Sequence, residues 1–157
     1  MKLKNLVSQH QRLLWLIGQA NNLPAEQLEL RAHWARYICV LASGFLENSL
    51  KEIYSRYARS CSASAVGDFV ESRLDRVQNP KASRFIETAQ SFNKQWGIEL
   101  RVFLDQDGRK EAIDAIMSNR HQIAHGKDSA ITLARVSDYL GKCVCAIEFI
   151  ELQCGVK

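Results

Sequence analysis

NRHQIAHG, at residues 119–126, closes a segment in which apolar residues recur at helical spacing from Glu111 onward. At about 100° per residue, the apolar side chains of this segment fall within about 60° of Arg120 on a helical wheel. They are Ile113, Ile116, Met117, Ile123 and Ala124. A guanidinium that faces a core is costly unless it is paired or lines a cleft. Gly126 is predicted to end the helix in the left-handed conformation.

The residue types of this segment allow two interpretations. In the structural one, Arg120 forms a buried ion pair with a carboxylate, and His125 caps the helix C-terminus. In the functional one, the segment is an anion site. The planar donors of Arg120 bind phosphate, and His125 transfers protons near neutral pH. Asn119 and His121 then act as supporting polar groups.

The arginine and histidine spacing resembles the signature of HEPN domains, which are small all-helical domains. The similar features are Arg120-x4-His125, a polar residue directly after the arginine, and the Ala-His-Gly ending. An earlier long helix carries Phe45, Leu46 and Glu47, as in the RiboL-PSP-HEPN branch. The resemblance extends over roughly residues 26–152. Many HEPN domains are metal-independent ribonucleases that pair as homodimers, with two motifs facing each other across a cleft.

The resemblance implies a metal-independent endoribonuclease that cuts RNA through 2′-OH attack, as a toxin or defence effector. Arg120 and His125 would be catalytic, and Asn119, His121 and Glu47 would support them. The implied partners are RNA, a second copy of the chain, and an antitoxin or other protein. In one form of the family, a tyrosine two residues after the histidine is modified by a nucleotidyltransferase. Lys127 occupies that position here, so this mode of control is not expected.

Two other functions remain open at the level of sequence. A non-catalytic HEPN module would bind RNA, a nucleotide or a partner protein without cutting anything. A plain helical interaction protein would use Arg120 only as a structural ion pair. A loss of stability on Arg120→Ala would favour this last function, whereas an activity assay separates the first two.

The composition predicts one all-α domain over residues 1–157, a bundle of about five to six helices. The apolar content of 46%, with two prolines and eight glycines, favours long helices around a core. The net charge of +4 permits a nucleic-acid partner without demanding one. No Gly-rich phosphate loop or Ser-His-Asp order is present.

Hydrophobic periodicity places the helices along the chain. The predicted helices cover residues 3–21, 24–60, 66–77, 81–96, the motif segment, and a last one ending near Gln153. The second is very long and apolar on two sides, which indicates a central position in the bundle or a shared position between two subunits. Gly97 is predicted to break the fourth, and Asp107 to cap the motif helix. Residues 98–104 fit either a helical turn or an extended piece.

Two further sets of polar residues are candidates for function. Arg73, Arg76, Lys81 and Arg84 form a basic cluster, which is either a solvated face or a contact to the RNA backbone. Along the long second helix, polar side chains occupy positions that continue an apolar stripe. These are Asn48 and Glu52, and they, or Glu47 by resemblance, are possible partners for Arg120.

The cysteines and the apolar runs indicate a cytoplasmic protein with no cofactor. Five scattered cysteines, without histidine or cysteine at zinc-ligand spacing, predict reduced packing thiols and no metal site. No signal peptide is recognisable, and the longest weakly polar run, residues 37–46, is too short to span a bilayer.

Overall fold

Seven helices form the part of the chain, residues 1–155, that the computed structural model describes, and this part contains no strand. The all-helical prediction is confirmed, with one or two helices more than expected. The helices are α1 (Lys4–Asn21), α2 (Leu28–Cys61), α3 (Ser64–Leu74), α4 (Ala82–Phe92), α5 (Lys94–Leu104), α6 (Arg109–Ala124) and α7 (Leu133–Gln153).

The long helix α2 is the axis of the bundle. It packs against α1, α3, α6 and α7, which explains why two of its faces are apolar. Ile38, Leu46 and Ile53 are completely buried along it. Its first turns differ, because Leu30 is 42% exposed and Tyr37 is 48% exposed. The predicted apolar stripe therefore faces the core only in part, and its N-terminal portion lies on the surface.

The boundary between α4 and α5 lies at Asn93, not at Gly97 as the sequence predicted. The Asn93 side chain caps α5 by accepting a hydrogen bond from the Gln95 amide at 2.8 Å. Gly97 lies inside α5, where a Cβ atom would stand 2.6 Å from Gln90 Cβ on α4. The glycine thus permits close packing between two helices, and residues 98–104 are helical.

The end of the bundle opposite the motif is held by a buried carboxylate on α7. Glu151 is 2% exposed and accepts hydrogen bonds from the amides of Lys2 at 2.8 Å and Leu3 at 3.2 Å. These amides precede the first turn of α1 and lack intrahelical partners, so the carboxylate satisfies them. One side chain thereby ties the beginning of the described chain to its last helix.

Candidate functional site

Arg120 lies where the apolar stripe of α6 reaches the surface. Ile113, Ile116 and Met117 are completely buried, whereas Arg120 is half-buried and Ala124 is exposed. The predicted core-facing position is therefore a position at the rim of the core. Among residues 1–155, no carboxylate or other group forms an ion pair or hydrogen bond with the Arg120 guanidinium. Its donors remain available to an anion.

The C-terminus of α6 brings two histidines together. Gly126 has φ 65°, and the Lys127 amide donates to the Gln122 carbonyl at 2.9 Å, so the predicted left-handed end is confirmed. His125 is the C-cap residue and is exposed. Its ring centroid lies 4.4 Å from that of His121, with the two planes at 62°. The cap therefore presents two imidazoles to solvent beside the end of the helix.

The N-terminus of α6 differs from the prediction. Gly108, with φ 68°, is the N-cap residue, and no side chain caps the helix there. Asp107 also has a positive φ, 53°, and its carboxylate accepts from Arg109 Nη2 at 2.6 Å. The carboxylate is thus used in an ion pair, and the expected Asp107 cap does not form.

Asn119 positions the segment that follows the motif. Its amide nitrogen donates to the Ala115 carbonyl at 2.8 Å, and its side-chain oxygen accepts from the Ser129 hydroxyl at 2.7 Å. Ser129 is 5% exposed, so this hydrogen bond anchors the link between α6 and α7 against the motif helix. Spacing along the chain contained no signal for Ser129, because the contact depends on the path of the loop.

The acidic candidates on α2 have other partners. Glu47 accepts a short hydrogen bond from the Asn79 amide, in the link between α3 and α4. Asn5 donates to Glu52 at 2.8 Å, and Asn48 donates to Gln9 at 3.4 Å. None of these side chains contacts Arg120 within the described chain, so the pairing that the sequence left open does not form there.

Three of the four residues of the basic cluster line one groove. This groove, of about 720 Å³, lies between α3 and α4 and includes Arg73, Arg76 and Arg84, whereas Lys81 is exposed outside it. The Arg73 guanidinium stacks over the exposed Phe69 ring at 5.2 Å, and Arg84 forms an ion pair with Glu87. Since aromatic and cationic groups alternate here, the surface can contact both bases and phosphates of a single strand.

The amide of Ala82 fixes this groove relative to the motif helix. It donates to the Asp114 carboxylate at 2.8 Å. Asp114 precedes Arg120 by six residues, which is about 9 Å along a helix. Ala82 begins α4, and Arg84, Glu87 and Thr88 of that helix line the groove, so this hydrogen bond ties one wall of the groove to α6.

The cysteines and the possible metal ligands do not add a second site to the described residues. All five cysteines are free, and Cys39, Cys143 and Cys154 are buried. Burial raises the pKa of Cys39 to about 12, so this residue remains a packing thiol. Within residues 1–155 there is no group of three or more histidine, cysteine or acidic residues arranged to hold a metal ion. None of the seven helices has the length and apolarity needed to cross a membrane.

Comparison with known families identifies the class of the domain. An all-helical bundle with Arg-x4-His at the end of its penultimate helix has the features of a HEPN domain. The model of the RiboL-PSP-HEPN family matches residues 7–154, and the chain therefore belongs to this family. No curated protein and no solved structure matches the chain.

Proposed function

We propose that this HEPN domain is a metal-independent endoribonuclease that cuts single-stranded RNA at Arg120 and His125. The observation that carries the proposal is the half-buried Arg120 guanidinium, which has no partner among residues 1–155 and lies on the same helix end as His121 and His125. An arginine that served only the fold would gain from a carboxylate partner, and none is present among residues 1–155. An arginine that binds phosphate instead keeps its donors open for the substrate.

The reaction uses the nucleophile that RNA itself carries. The 2′ oxygen forms a bond to the adjacent phosphorus, the bond from phosphorus to the 5′ oxygen breaks, and a 2′,3′-cyclic phosphate remains. A base must take the 2′ proton, and an acid must give a proton to the leaving 5′ oxygen. His125 performs one of these transfers. Arg120 stabilises the charge on the phosphorane through its paired donors.

Each copy of the chain supplies one arginine and one histidine at these positions, so the proposed active unit is a homodimer with the α6 ends near the two-fold axis. The N-terminal part of α2 supports this arrangement. Leu30 and Tyr37, seven residues apart on one face of α2, are both exposed. A second copy would cover this strip. Sedimentation at micromolar concentration should give a dimer mass, and a strict monomer would contradict the proposal.

Asn119, His121 and Glu47 have supporting roles in this proposal. Asn119 holds the link between α6 and α7 through Ser129, and Glu47 holds the link between α3 and α4 through Asn79. His121 lies against His125 and limits the positions of its ring. Beyond the scissile bond, the RNA strand contacts the basic cluster, which consists of Arg73, Arg76, Lys81 and Arg84. A toxin or defence role in the cytoplasm, with an antitoxin as partner, is the biological part of the proposal.

The decisive experiment is cleavage of a single-stranded RNA oligonucleotide by purified protein in EDTA. We expect cutting to persist in the chelator and to leave 2′,3′-cyclic phosphate ends, with the same DNA sequence left intact because it lacks the nucleophile. A requirement for added Mg²⁺ would contradict the mechanism. If no RNA is cut under any condition, the domain is a binding module for RNA, a nucleotide or a protein.

A further inference from the structure

A second cationic groove lies beside the link that follows the motif helix, and it shares no lining residue with the groove between α3 and α4. It has a volume of about 400 Å³ and is formed by the first turns of α2 and the link between α6 and α7. Arg31 and Arg36 contribute its charge, and Ser129 and Thr132 lie on the facing wall. Neither arginine belongs to a motif that the sequence analysis singled out.

The donors of Arg36 are incompletely used within the described chain. Its Nε atom is buried and has no hydrogen-bond acceptor there, and its Nη1 atom lies 3.5 Å from His33 Nδ1. Arg31 donates through Nη1 to the Leu23 carbonyl at 2.9 Å. No carboxylate among residues 1–155 forms an ion pair with either guanidinium. A buried N–H without an acceptor is costly, so the fold leaves Arg36 incompletely satisfied, and an anionic oxygen bound at its guanidinium in the groove would offset that cost.

The groove adjoins the motif through two contacts between elements. Ser129, which lines the groove, donates its hydroxyl hydrogen bond to Asn119, the residue before Arg120. One turn away, the Cys39 thiol of α2 contacts the Ile116 carbonyl of α6. Arg36 precedes Cys39 by three residues and Arg120 follows Ile116 by four, so the two arginines lie at levels that differ by about 2 Å along antiparallel helices.

We propose that Arg36 binds a phosphate of the RNA strand next to the scissile phosphate, with Arg31 adding positive charge to the same groove. This inference rests on the proposed ribonuclease function and defines a substrate subsite for it. The groove and the basic cluster would then contact different parts of the strand.

The first test measures RNA binding as a function of salt. A labelled single-stranded RNA of ten nucleotides is titrated with protein carrying His125→Ala, so that it is bound and not cut. Loss of one phosphate contact reduces the slope of log affinity against log salt by about 0.7 for a single strand. Arg36→Met should show this reduction, whereas Arg36→Lys should retain the slope because it retains the charge. Arg101→Met, an exposed charge on α5, is the matched control and should not change the slope.

The second test does not depend on the folding of Arg36→Met. One linkage at a time in the RNA is replaced by a neutral methylphosphonate, and binding to protein with Arg36 intact is compared. We expect a loss of binding at one linkage adjacent to the cleavage position. Equal slopes for Arg36→Met and Arg101→Met, or loss at no linkage except the scissile one, would overturn the subsite.

The outcomes for the subsite and for the ribonuclease are separable. If wild type binds RNA with the predicted salt and linkage dependence but cuts nothing, the subsite is supported and the proposed ribonuclease activity is contradicted. If wild type cuts RNA and Arg36→Met has the KM of wild type on the ten-nucleotide substrate, the subsite is contradicted and the ribonuclease activity is supported. A protein that neither binds nor cuts RNA overturns both.

Discussion

Two charged side chains at opposite ends of the bundle, Glu151 on α7 and Arg120 on α6, differ in their burial and in their hydrogen bonding. Glu151 is 2% exposed, and its carboxylate accepts backbone hydrogen bonds from Lys2 and Leu3. Arg120 is half-buried and has no partner among residues 1–155. A charge whose hydrogen bonds are all made internally contributes to the fold, whereas one with open donors at the rim of the core is available to a ligand.

The same contrast separates the histidines. The ring of His10 stacks on Phe45 with centroids 6.1 Å apart, between α1 and α2. His125 instead lies at an exposed helix end, with the His121 ring beside it. The expected effects of substitution therefore divide into two groups, with loss of activity at the α6 end and loss of stability elsewhere.

The largest effect is expected for His125→Ala. Loss of a general acid or base lowers the rate by about 10²-fold or more, and kcat for RNA cleavage should fall by that factor. The melting temperature should stay near that of wild type, because the His125 side chain is exposed. Gln122→Ala, an exposed change in the same motif, is the matched control and should remain active. An equal loss in both variants would show that the motif surface is merely sensitive to substitution.

Arg120→Lys should lose nearly as much activity as His125→Ala. An ammonium keeps the charge but not the planar pair of donors that fits two phosphate oxygens. The companion variant Arg120→Ala should have a nearly unchanged melting temperature, since no ion pair within the described chain is broken. Full activity of Arg120→Lys would rule out the proposed phosphorane contact. A large drop in the melting temperature of Arg120→Ala would show that the arginine has a structural role.

Glu151→Ala should produce the opposite pattern. Two backbone amides lose their acceptor, and the one that is buried, that of Leu3, costs about 1–3 kcal/mol when unsatisfied. We expect the free energy of unfolding in urea to fall by about 2 kcal/mol or more, with cleavage per folded molecule unchanged. Asp138→Ala, on the exposed side of α7, removes only a surface ion pair with Lys142 and should cost less than about 1 kcal/mol. Equal costs for the two variants would contradict the structural role of Glu151.

The local features of this molecule could be predicted from the sequence, and the features that depend on packing could not. The helix end at Gly126 follows from local backbone preference, and the spacing of Arg120 and His125 lies within one helix. The prediction that Gly97 breaks a helix was wrong. The actual role of Gly97 depends on the approach of Gln90 from α4, which no local pattern records. Glu151 and Ser129 were missed for the same reason.

The segment around Arg120 contains one feature that the sequence predicted correctly and one that it could not predict. The helical wheel correctly placed Ile116 and Met117 in the core, and both are completely buried. It could not indicate that the core ends one turn later, because that depends on how the neighbouring helices pack around α6. The wheel therefore predicted a core arginine where the structure has a half-buried one with open donors.

The smallest effect concerns the pH dependence of stability through His10. Burial lowers the pKa of His10 below its ordinary value of 6.5, and this outweighs the opposing attraction of Glu148. The unfolded chain therefore binds the proton more readily than the folded one, so stability is retained above pH 6.5 and falls as the pH drops through the lowered pKa. His10→Gln cannot titrate, so its free energy of unfolding should fall less between pH 7 and about pH 5 than that of wild type. Parallel urea titrations at each pH measure the difference. A wild type that loses no more stability than His10→Gln over this interval would show that the ring accepts a proton as easily in the fold as in the unfolded chain.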